Sequence, residues 1–96
     1  PEREPIGRYG RMRQRYLKEL RPVLWNHLVL NGTLYEHQHE IEQAAQSRID
    51  LMLPKLAEAA GATETLKAAD PMKWTGLMNN CKEQAEEVVL NELIYN

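Results

Sequence analysis

The chain has no phenylalanine, a single cysteine, and no apolar run approaching the roughly 20 residues that cross a bilayer. With Cys81 alone, no intrachain disulfide can close, which fits a reducing compartment; the expected location is the cytoplasm, with no membrane partner. No secretory signal pattern opens the sequence. There is no glycine-rich turn of the kind that cradles phosphates and no nucleophile elbow. Strand-like alternation, internal repeats and low-complexity segments are also lacking, so the 96 residues read as one helical domain. A chain this short buries only a little over ~60% of its surface on folding, so its core is small.

Candidate chemistry is equally sparse. His37 and His39 lie two apart on a helix and point about 200° away from each other, so they cannot share a metal ion unaided. Cys81 falls on an apolar helix stripe and reads as a buried thiol rather than a nucleophile. Glu83, Glu86 and Glu87 read as a solvated helix face. The expectation is a protein that is not an enzyme, with no catalytic residue, no metal and no cofactor.

What the chain does have is an uneven distribution of charge. The net charge of −2 conceals a basic segment, residues 8–21, with six Arg or Lys against Glu19 alone, a net of +5. Residues 22–96 carry five cations against eleven carboxylates, a net of −6. At 100° per residue, Tyr9, Met12, Tyr16, Leu20 and Val23 share one side of a helix. Arg8, Arg11, Arg15 and Lys18 share the other, at a pitch suited to a phosphate backbone, with Arg13 and Arg21 nearer the edges. Those four are the candidate nucleic-acid-binding residues, and DNA is the candidate partner. The competing reading is a solvated face that keeps a small domain soluble.

Proline and glycine punctuate the rest. Residues 1–7, PEREPIG, read as an extended lead-in to a single domain over 8–96. A first helix is expected from about Arg8 to Leu30, kinked at Pro22. Asn31-Gly32 ends it, and Thr33 with Glu36 reads as a capping box opening a second helix to about Ala60, bent by Pro54. Leu34, Ile41, Ala45, Ile49, Met52 and Leu56 form the inward stripe of that helix. A short helix over Thr63–Ala69 follows. The last helix opens at Asp70-Pro71 and runs to about Tyr95, with Trp74, Met78, Cys81, Ala85, Val88 and Val89 inward. Trp74 is expected to be a core anchor, and Gly76 to permit a close helix contact. The fold class is therefore all-α, an up-down bundle of three long helices and one short one. Leu90 and Ile94, four apart on an otherwise polar back face, suggest an exposed patch and a homodimer formed through it.

Three stretches together, PIGRYGRMRQRYLKELRP, NGTLYEH and LKAADPMKWTGLMNNCKEQAEEVVLNELIYN, resemble the transposon-encoded TnpV family. The resemblance covers nearly the whole chain, and MNN with EEVVLNELIY is its most specific part. It implies a small protein carried by a bacterial mobile element, with a segment upstream of Pro1. Pro54 and Cys81 depart from the pattern. The resemblance implies no catalytic residues. It is compatible with an accessory DNA-binding protein, or with a helical module that binds an element-encoded recombinase.

Overall fold

The computed structural model describes residues 3–96. Pro1 and Glu2 of the expected lead-in lie outside the described residues. The described residues form five helices and a closing π turn, with no strand among them. They are α1 (Arg8–Leu20), α2 (Pro22–Leu30), α3 (Leu34–Ala60), α4 (Glu64–Ala69) and α5 (Pro71–Val89), followed by the π turn Leu90–Ile94. The all-α class stands, but five helices replace the expected three long and one short.

The extra helix comes from Pro22. Arg21 leaves the helical region, at φ −132° and ψ 60°, so α1 and α2 are separate rather than one kinked helix. Proline disfavours helical geometry in the residue before it and is itself well placed at a helix start. At Pro54 the opposite happens: α3 continues through it. The Thr33 capping box does not form, since Thr33 makes no side-chain cap bond, and Glu36 instead faces Arg3 at 3.7 Å. Thr63 and Asp70 do cap α4 and α5, accepting from the Leu66 and Lys73 amides at 3.1 and 3.2 Å.

Side-chain pairings fix the directions. Gly10 meets Gln38 and Glu42, and Arg13 meets His37, so α1 and α3 run antiparallel. Arg8 meets Glu86 while Arg13 reaches Ile94, so α1 runs alongside α5 in the same sense. The core lies where the three converge: Tyr9, Ala45, Val89 and Ile94, with Met12, Ile41, Ile49, Met52, Leu90 and Leu93 packed around them. Cys81 and Ala85 continue the buried stripe of α5. Trp74 is half-buried, with the Lys67 ammonium 4.6 Å from its ring centre.

Two expected features are corrected here. Leu90 and Ile94 do not form an exposed patch: Ile94 is fully buried and Leu90 half-buried against the core. Buried positions on α5 follow at spacings of four, Cys81, Ala85 and Val89, and the next, Ile94, comes after five. The π turn, closed by the Tyr95 amide on the Leu90 carbonyl at 2.8 Å, supplies that extra residue and returns Ile94 to the core side. Gly76 is exposed, and apart from its neighbours along its own helix no atom of the described residues lies within 4 Å of a Cβ added there, so it permits no close contact. The close approach is at Gly10, where an added Cβ would sit 3.0 Å from the Gln38 carbonyl oxygen and 2.3 Å from Ile6 Cγ2.

Candidate nucleic-acid interface

Helix α1 is held by buried polar contacts that decide which of its cations reach solvent. Gly7, its N-cap, offers no side chain to the first turn. Glu42 of α3 fills that role: its Oε1 accepts from the Gly10 amide at 3.0 Å, placing a carboxylate at the positive end of the helix. Gln38, 5% exposed, donates from Nε2 to the Gly10 carbonyl at 3.1 Å and to Gln14 Oε1 at 3.0 Å.

Arg13 sits at the centre of the inward face. It is 5% exposed and pairs with no Asp or Glu among the described residues. Its Nη1 donates to the Ile94 carbonyl at 2.8 Å and to the backbone and side-chain oxygens of Asn96, both at 3.1 Å. Its Nε donates to His37 Nε2 at 3.1 Å, which fixes His37 as a neutral acceptor. Burial, then the neighbouring Arg13 charge, pushes the His37 pKa down. Arg13 thus caps the carbonyl end of the closing π turn, where a cation is favoured. Arg21 adds a second contact to that end, Nη1 to the Asn96 backbone oxygen at 3.0 Å. Both arginines, expected near the edge of a binding stripe, fasten the chain's own C-terminal turn.

The four candidate cations divide. Arg8 is exposed but engaged: its Nη2 lies 2.6 Å from Glu86 Oε1, and this contact holds the Glu86 carboxyl below its ordinary range. Arg11 is exposed, and its Nη1 donates to the Ile6 carbonyl at 2.6 Å, which orients the guanidinium without neutralising it. Arg15 and Lys18 are exposed. No carboxylate among the described residues pairs with Arg11, Arg15 or Lys18. At i, i+4 and i+7 these three form one strip, bordering a shallow hollow that Gln14 and Glu19 also line. Tyr16 lies against Tyr95 on the far side, ring centres 5.4 Å apart, and is not placed to stack on a base beside the strip.

Sequence phase alone made Arg13 an edge residue and missed Gly7, Gly10, Gln38 and Glu42. A signal was present in Gly7 and Gly10 at i and i+3 around a helix start, a spacing that admits a close neighbour on one side. His37 and His39 do separate, as their spacing requires: His37 faces Arg13, and His39 stacks on Tyr35 with ring centres 6.0 Å apart. Among the described residues, no helix is long and apolar enough to cross a membrane.

The family described as transposon-encoded protein TnpV matches residues 1–94. No curated protein and no solved structure matches the chain.

Proposed function

The chain belongs to the TnpV family of transposon-encoded proteins, and we propose that it is a non-catalytic accessory protein that binds the DNA phosphate backbone through Arg11, Arg15 and Lys18. One observation carries this reading: packing of α1 on α3 and α5 uses Arg8, Arg13 and Arg21 internally, yet leaves three cations in solvent on a single strip. A strip that served only solubility would not need its cations aligned and unpaired. Contact with phosphates positions a protein without reading sequence, so the expected binding is weak and non-specific, on the order of 10⁻⁴–10⁻⁶ M at physiological salt. Arg8 joins only where a phosphate displaces Glu86.

Fluorescence anisotropy on a labelled duplex tests the assignment. Arg11→Glu/Arg15→Glu should abolish binding while leaving the helical circular dichroism intact, because both side chains face solvent. Equal binding by wild type and variant would remove the strip from the function. A second reading, a helical module that binds an element-encoded recombinase, is favoured by exposed apolar residues outside α1 and α2, Leu51 of α3 and Met72 of α5. Failure of the wild type to bind DNA, with capture of the recombinase, would establish that reading instead.

A further inference from the structure

Helix α2 has no buried residue and contains no Asp, Glu, Lys or Arg. Its half-buried positions, Leu24, Trp25 and Leu28, lie on one side. The opposite side carries Val23, 84% exposed, and Leu30, 85% exposed, with Asn26 and His27 between them. Leu20, 68% exposed where α1 stops, extends the apolar surface. An uncharged helix with apolar residues at i and i+7 in open solvent is an unfinished interface.

We infer that a second copy of this chain covers this face, through two-fold antiparallel pairing of α2 with the other copy's α2. The inference does not rest on the DNA reading. Shape and charge favour a second copy over an unrelated protein. At the Pro22 end lies an open hollow of about 480 Å³, lined by Leu20, Pro22, Val23, Leu24 and His27 beside Arg21. At the other end Leu30 projects. A two-fold axis midway between Asn26 and His27 sets each Leu30 over the other copy's hollow, so both contacts form at once, as an isologous interface requires.

The second feature is charge. The paired faces bring no like charges together. Antiparallel pairing also places Arg21, which borders the hollow, beside the carbonyl end of the other copy's α2, where a cation is favoured. Overall form leaves the face in solvent in the single chain. The radius of gyration is 17.0 Å, against about 12 Å for a compact chain of this length. An elongated chain leaves apolar surface that its own small core cannot cover.

Sedimentation equilibrium over a concentration series tests the inference on the full chain. Expected is a mass approaching twice 11.1 kDa, with Val23→Asp and Leu30→Asp each raising the dissociation constant at least about tenfold. Circular dichroism of the diluted variants should match wild type, because both side chains are exposed. Orientation is read by mixing Val23→Cys chains with Leu30→Cys chains under mild oxidation. Mixed 23–30 cross-links should exceed both like-with-like products, since Val23 and Leu30 lie about 10.5 Å apart along the helix. A monomer at every concentration, a dimer unaffected by either aspartate, or predominant 23–23 cross-linking would each overturn it. So would association seen only with a different protein.

Discussion

Arg13 carries a charge into the interior and meets acceptors from outside its own helix there: the Ile94 carbonyl, Asn96 and His37. Removing it strands the Ile94 carbonyl, whose bond to Arg13 is buried, and loses a charge-assisted bond. Arg13→Ala should therefore lower the unfolding free energy by about 2–3 kcal/mol, read from the midpoint of urea denaturation. Arg15→Ala, on the exposed strip, should change it by less than about 0.5 kcal/mol. His37 gives the same contact a pH dependence. Its pKa is lower folded than the ordinary value of 6.5, so between those two values the unfolded chain binds more protons. Stability is full above about 6.5 and falls as pH drops through the folded pKa. His37→Gln keeps an acceptor for Arg13 without titrating, and the wild-type loss relative to this variant should vanish above pH 7. A difference that is flat across that range would place the proton elsewhere. None of this was legible from spacing, because Arg11, Arg13 and Arg15 are alike as residues. What separates them is the face that meets Ile94, a neighbour 81 residues away.

At the scale of helices, the crossing of α1 and α3 and the end of α5 set the register of everything else. Gly10 allows the α1 backbone to approach Gln38, while Gly76 sits in open space on α5. The two glycines should respond oppositely to alanine. Gly10→Ala crowds Ile6 and the Gln38 backbone and should destabilise by about 1–3 kcal/mol. Gly76→Ala adds helix propensity without a clash and should stabilise by about 1 kcal/mol. Thermal unfolding of the two variants beside wild type decides both. Sequence periodicity was sufficient for α3 and for most of α5, where the inward residues follow the expected stripe. It failed where local geometry departs from 3.6 residues per turn. Pro22 separates α2 from α1 and leaves Leu20 and Val23 outside, and the π turn carries Ile94 inside. Inward stripes were readable because burial repeats along a regular helix. The glycine contacts were not, because they depend on which helix crosses there.

For the molecule as a whole, a net charge of −2 describes neither end well. Carboxylates of α3 and α5 hold the start of α1, through Glu42 and Glu86, Arg13 and Arg21 hold the C-terminal turn, and Arg11, Arg15 and Lys18 stay exposed. A DNA-binding protein built this way is governed by how many phosphates it neutralises. With Arg8 held by Glu86, that number is three, from Arg11, Arg15 and Lys18. Counterion release then gives a slope of about −2.7 for the logarithm of affinity against the logarithm of salt. Four cations would give about −3.6. The most direct measurement is anisotropy of a labelled duplex titrated with the protein across a series of salt concentrations. The account predicts weak binding with a slope near −2.7, falling by about 0.9 in Lys18→Ala and steepening toward −3.6 in Glu86→Gln, which frees Arg8. Binding that is absent at low salt, or a slope unchanged by Lys18→Ala, would contradict it.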